Sequence, residues 1–125
     1  MEKLQIKETY QTPAINFEPD KGIFEIKGRS VAFNIMNFFQ PILDYIHRYS
    51  QAPHQKTVMK MLFTYYNTGT STCILDIFNK LDDLYKKGFD VKIQWYYDKG
   101  DDSYKEDGED FRDYVSVPFE VIESA

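Results

Sequence analysis

The segment Thr57–Tyr66 constrains the chain more than any other. Met59, Met61, Phe63 and Tyr65 fall on one face of a period-two pattern, with Val58, Lys60, Leu62, Thr64 and Tyr66 on the other. A strand with apolar side chains on both faces belongs inside a sheet, so this strand is expected to be central. Three shorter alternating segments precede it. Leu4 and Ile6 suggest a short strand, and Thr12-Pro13 breaks it. Ile15 and Phe17, then Phe24 and Ile26, read as a hairpin around the turn Pro19-Asp20-Lys21-Gly22, with Gly28 ending the second strand.

Between these strands and Thr57 the period changes. Ile35, Phe38, Phe39, Ile42, Ile46 and Tyr49 recur at three- and four-residue steps, which predicts a helix over Phe33–Tyr49. Pro41 lies inside it, predicting a kink or a restart, and Ser50–Gln55 reads as a loop. After the central strand, the small polar run Asn67–Thr72 leads into a second helix with the stripe Ile74, Ile77, Phe78, Leu81, Leu84 and Tyr85. Lys86-Lys87-Gly88 closes that helix with cations and a glycine. Val91, Ile93, Trp95 and Tyr97 alternate as another strand. Phe111, Tyr114 and Val115 suggest a short helix, and Pro118–Ile122 reads as a packed tail or edge strand. The order β-β-β-α-β-α-β-α-tail predicts a single α/β domain over 1–125, a mixed β-sheet with helices packed largely on one side.

Composition excludes several functions. A chain of 125 residues fits one domain and buries a core without disulfides or a structural metal. One cysteine forms no internal disulfide or Cys-rich zinc site, and two histidines form no multi-His site. A net charge of −5 argues against nucleic-acid binding. The N-terminal segment lacks the apolar core of a signal peptide and no stretch is apolar enough for membrane insertion, so a cytoplasmic protein without a cofactor is expected.

Four features bear on chemistry. The segment Asp98–Asp113 holds eight acids and three bases, so the chain's whole charge excess lies there. As a calcium loop starting at Asp98 it fails, with Gly100 at the third position and Ser103 at the sixth. It reads as a solvated acidic loop, and its alternative role is a docking surface for a protein partner, independent of phosphorylation. His47 and His54 lack a Cys or Asp partner at diagnostic spacing and read as surface residues. Cys73 stands at the start of the second helix, where the helix end lowers a thiol pKa, but packing under the helix is the simpler reading. Asn67–Thr72 offers Thr68, Thr70, Ser71 and Thr72 where a helix begins. Capping needs one hydroxyl, whereas a helix N-terminus with several also suits a phosphate.

At this point the sequence resembles the SiaC family of bacterial regulatory phosphoproteins. The resemblance rests on Thr12–Phe17, Gly22–Ser30, Phe39–Asp44, Tyr65–Thr68, Leu81–Gly88 and Trp95–Tyr97, and runs along nearly the whole chain. It implies a STAS-like fold of the anti-sigma-factor-antagonist type, with the phosphoacceptor between a strand and the next helix. It implies that Thr68 is that acceptor. Thr70 and Ser71 are secondary candidates, because this chain reads Gly69-Thr70-Ser71-Thr72 after it. It further implies a Ser/Thr protein kinase and a PP2C-like phosphatase as partners. The unphosphorylated form is expected to bind and activate a diguanylate cyclase, raising cyclic di-GMP and promoting biofilm, with no catalysis by the chain itself. Adjacency to Thr68 makes Tyr65, Tyr66, Asn67 and Gly69 the candidate partner-binding residues.

Overall fold

A computed structural model describes residues 1–124. The strands are β1 (Leu4–Ile6), β2 (Ala14–Glu18), β3 (Ile23–Ser30), β4 (Lys56–Tyr66), β5 (Asp90–Tyr97) and β6 (Phe119–Glu123). The helices are α1 (Ile35–Tyr49), α2 (Thr68–Lys86) and α3 (Asp102–Tyr114), each inserted between two consecutive strands of β3 to β6. The six strands form one sheet in chain order. β1 to β3 pair antiparallel, and β3 to β6 pair parallel. The expected tail is thus a true edge strand, with Phe119 opposite Ile93 and Val121 opposite Trp95.

Strand order explains the layering. Three successive crossovers move one strand in the same direction, and crossovers share one hand, so their helices fall on one face. The burial pattern agrees. Phe24, Ile26, Met59, Met61, Ile93 and Trp95 are buried, while the alternate residues Glu25, Lys60 and Gln94 are only half-buried. The core lies between that face and the helices, where α1 contributes Phe39, Ile42 and Ile46 and α2 contributes Ile74, Ile77, Phe78 and Leu81.

The hairpin turn depends on Gly22. Its φ of +68° lies in the left-handed region, and a Cβ there would stand 1.8 Å from the Lys56 carbonyl oxygen. The close approach lets the Gly22 carbonyl accept from Val58 N–H at 2.7 Å, which starts the β3–β4 ladder.

Four sequence expectations need correction. α1 begins at Ile35 rather than Phe33, and Pro41 sits within one continuous helical assignment. β3 does not end at Gly28 but runs to Ser30, with a register shift between Gly28 and Arg29. The acidic segment is not a solvated loop. Helix α3 fills most of it, opened by Asp101, whose side chain accepts from Tyr104 N–H at 3.2 Å. α2 begins at Thr68, inside the polar run expected to precede it, because Asn67 provides the cap.

One buried carboxylate ties α2 to the last strand. Asp82 accepts from Ser116 N–H at 2.8 Å and Val117 N–H at 2.9 Å, and its other oxygen pairs with Lys86 at 3.0 Å. Burial pushes this carboxyl up, but the Lys86 ammonium and the two amides outweigh it and hold the pKa below the usual range. Asp82→Ala leaves both amides unpaired and should cost on the order of 2–3 kcal/mol in urea unfolding at neutral pH. A lowered pKa places this contribution above the ordinary carboxylate range. The gap between wild type and variant should therefore hold at neutral pH and close as pH falls below about 4.

Candidate functional site

β3 and β4 end side by side, and a small polar node joins them to α2. Asn67 N–H donates to the Ser30 carbonyl at 3.1 Å, and the Asn67 amide donates to the Ala32 carbonyl at 3.4 Å. The Asn67 side-chain oxygen accepts from Thr70 N–H at 2.9 Å, the first cap of the helix. The Ser30 and Thr70 hydroxyls, both fully buried, lie 2.8 Å apart. The Thr70 hydroxyl also reaches the Ser30 carbonyl at 3.1 Å and the Asn67 side-chain oxygen at 2.9 Å. Every acceptor at this node has a donor, so the start of α2 is fixed.

The node sorts the candidate hydroxyls. Thr68 is the first residue of α2 and is exposed. Thr70, a secondary candidate, points inward and is consumed by the node. Ser71 is half-buried in a cleft of about 150 Å³ with Tyr66, Asp107, Asp110, Phe111 and Tyr114, where a phosphate would face two carboxylates. Thr72 is exposed one turn beyond Thr68. The Thr70 N–H is held by the Asn67 side chain and the Ser71 N–H by the Asn67 carbonyl. No acid occupies the first turn, so the positive end of the helix dipole is uncompensated beside the Thr68 hydroxyl.

The two tyrosines before the loop go to opposite faces. Gly28 pairs with Phe63 and Arg29 with Tyr65, so Thr64 is an extra residue in β4. That bulge inverts the alternation. The sequence placed Tyr65 with Phe63 and Tyr66 opposite, and the bulge exchanges them. Tyr66 turns under the helices against Phe63 and Trp95, with ring centroids 5.3 and 6.1 Å away. Its ring stacks on Tyr104 at 5.3 Å, its N–H donates to the Tyr104 hydroxyl at 3.2 Å, and its hydroxyl donates to Asp107. Burial first, and the Asp107 bond second, push the Tyr66 pKa far above the usual phenol range. Tyr66 is therefore a structural strut rather than an open docking group. Tyr65 is 52% exposed, with the Arg29 guanidinium 5.4 Å from its ring and 4.7 Å from that of Tyr10.

α3 closes on the same aromatic group. The Trp95 indole donates to the Tyr104 carbonyl at 2.9 Å, and a Cβ on Gly108 would stand 2.4 Å from the Trp95 ring. Only glycine lets the helix approach this closely. Tyr104, Gly108 and Phe111 thus form an inner stripe on an otherwise acidic helix, and this spacing was a signal the sequence reading passed over.

The remaining candidates separate from the site. Cys73 is fully buried, its sulfur 3.1 Å from that of Met36, and burial followed by the Asp76 charge pushes its thiol up rather than down. His47 and His54 are exposed, and His54 Nδ1 contacts the Lys56 backbone. Gly69 packs beside Ile35, where a Cβ would stand 3.1 Å from the Ile35 side chain. Among the described residues no helix is long and apolar enough to cross a membrane.

Fold and site together define a small α/β domain, three helices on one face of a mixed sheet, that presents an accessible hydroxyl where its central strand hands over to a helix. The family model described as SiaC family regulatory phosphoprotein matches residues 6–124, and the chain belongs to that family. An uncharacterized protein of Pseudomonas aeruginosa strain UCBPP-PA14 is 27% identical over 121 residues, covering 97% of this chain and 96% of the relative. The crystal structure of apo-SiaC from Pseudomonas aeruginosa superposes with a TM-score of 0.91 at 27% identity, covering 98% of this chain and 99% of that one. A chain in the crystal structure of the diguanylate cyclase SiaD in complex with its activator SiaC, also from Pseudomonas aeruginosa, matches with a TM-score of 0.91 at 26% identity. That match covers 97% of this chain and 99% of the other.

The node makes a stability prediction. Thr70→Val keeps the shape but strips the hydroxyl from Ser30 and Asn67. It should lower stability by about 1–3 kcal/mol, read as a shifted denaturant midpoint with an unchanged slope.

Proposed function

We propose that this protein is a non-catalytic phospho-switch adaptor. Thr68 is the acceptor, written by a Ser/Thr protein kinase and erased by a PP2C-like phosphatase. The unphosphorylated form binds and activates a diguanylate cyclase, raising cyclic di-GMP and promoting biofilm formation. The observation that carries the reading is the exposed Thr68 hydroxyl at the first position of α2, in a chain of the SiaC family. The complex of SiaD with its activator SiaC supplies the effector class.

The geometry suits a switch that leaves the fold intact. Phosphorylation adds about −1.5 to −2 charge and three strong acceptor oxygens. At the start of α2 the helix dipole and the outermost N–H groups favour that charge. The domain then gains slightly in stability while its outer face turns negative. An effector that covers Thr68 has to bury the phosphate, which costs several kcal/mol unless a cation meets it. Each 1.4 kcal/mol is tenfold in affinity, so the modified form is released.

Two measurements test this together. Phosphopeptide mass spectrometry with the cognate phosphatase disabled should find the phosphate in the tryptic peptide Met61–Lys80, on Thr68. Thr68→Asp should raise stability by about 0.3–1 kcal/mol through the helix dipole while weakening cyclase binding at least tenfold. A peptide without phosphate, or a Thr68→Asp protein that binds like wild type, would sink the switch. Binding lost instead on charge reversal at Glu106 and Glu109, with Thr68 changes silent, would move the docking surface to α3.

A further inference from the structure

α3 is held to the body differently from the other two helices. α1 buries seven residues and α2 eight, but Gly108 is the one buried residue of α3. Asp102, Ser103, Asp107, Gly108, Asp110 and Asp113 are weak helix formers, so little of its stability is intrinsic. Its charges work against it as well. Asp102 and Glu106, Glu106 and Asp110, and Glu109 and Asp113 are like charges four residues apart, where side chains on a helix are neighbours. The ion pairs among the described residues join Glu18, Asp82 and Glu120 to lysines, and none involves α3.

A short inner seam holds α3 in place. The Trp95 indole donates to the Tyr104 carbonyl, and Gly108 lies against the Trp95 ring. The Phe111 ring centroid is 5.3 Å from that of Trp95 and 5.4 Å from that of Phe78. Tyr66 supplies the rest, stacking on Tyr104, donating its N–H to the Tyr104 hydroxyl and its own hydroxyl to Asp107. Beyond the helix the chain is anchored separately. Asp82 holds the Ser116 and Val117 N–H groups, and Ile93 N–H donates to the Pro118 carbonyl at 2.9 Å. α3 can therefore leave the seam without drawing β5 or β6 out of the sheet.

We propose that α3 is a charge-loaded latch, which undocks from Trp95 and Tyr66 as one unit well below global unfolding and whose docked population rises with ionic strength. The seam favours docking, and repulsion within α3 opposes it. Salt reaches chiefly the repulsion, because Trp95 and Phe78 are buried whereas Glu106, Asp110 and Asp113 are exposed. Undocking takes Tyr104 and Asp107 away from Tyr66, two residues before Thr68. It also removes the wall that Asp107, Asp110, Phe111 and Tyr114 build beside the half-buried Ser71. The latch thus sets how open the start of α2 is on its α3 side, whether or not Thr68 is modified.

Hydrogen exchange of the full chain, together with the fluorescence of Trp95, its one tryptophan, tests this. At about 10 mM NaCl the Debye length is about 30 Å, and the amides of residues 106–114 should exchange at least about tenfold faster than those of β4. At about 1 M NaCl, with a Debye length of about 3 Å, their exchange should slow at least about threefold relative to β4, and acrylamide should quench Trp95 less. Glu106→Gln combined with Asp110→Asn should reproduce the high-salt protection at low salt and lose the salt response. Gly108→Ala, whose Cβ would stand 2.4 Å from the Trp95 ring, should strip α3 of protection and shift Trp95 emission to the red while β4 stays protected. α3 amides that exchange only with global unfolding overturn the latch, as does a Gly108→Ala protein whose β4 amides open together with α3. Local opening that ignores both salt and the neutralised pair removes the charge loading, and the proposal falls with it.

Discussion

The hydrogen-bond node of Ser30, Asn67 and Thr70 is the constraint on which the functional end depends. Two parallel strands finish there, and each leaves a buried backbone carbonyl or amide that needs a partner. Ser30 answers with its carbonyl to Asn67 N–H, and Thr70 answers with a hydroxyl buried against both. Because the node is satisfied internally, α2 can begin only at Thr68. That places one hydroxyl outside and the next inside within three residues. Packing thus leaves the Thr68 hydroxyl accessible and turns the Thr70 hydroxyl inward.

A second constraint sits one step upstream. The extra residue Thr64 in β4 exchanges the faces of Tyr65 and Tyr66. Without it, Tyr66 would leave the aromatic layer, and Tyr104 and Asp107 would lose their contact with the strand that leads into α2. The bulge is what joins α3 to the site. The acidic helix then needs little apolar surface of its own, since Tyr104, Gly108 and Phe111 suffice to seat it on Trp95.

These two devices also mark where sequence reasoning succeeds and fails. The hairpin of β2 and β3, the central place of β4 and the stripe of α2 were legible, because alternation and 3.6-residue periodicity come directly from burial on one face. The early start of α2 was hidden. Thr68, Gly69, Thr70 and Ser71 are weak helix formers, so their run reads as a loop until Asn67 is recognised as the cap. The second half of α3 was legible from Phe111, Tyr114 and Val115, but its charge hid the first half, although the inner stripe was present at positions 104, 108 and 111. The bulge left no trace, because a Tyr-Tyr pair satisfies either phase of the alternation. The hydroxyl run pointed to the strand-to-helix junction and the family resemblance implied Thr68 within it, but that Thr70 turns inward could be seen only with its partner Ser30, forty residues earlier in the chain.

Charge placement joins the fold to the switch. The excess of negative charge is confined to residues 98–113, and the stretch Met61–Leu75 around Thr68 carries no charged residue. A phosphate works as a signal in proportion to how much it alters the local field. Within residues 98–113, among eight carboxylates, two further charges would alter it little, and solvent would screen them within a Debye length of about 8 Å at physiological ionic strength. At the start of α2, under the partner proposed above, the same charges would meet a lower dielectric, where their interaction is several times stronger. In the proposed switch, residues 98–113 hold the charge an acidic protein carries, and the start of α2 receives the charge that is added and removed.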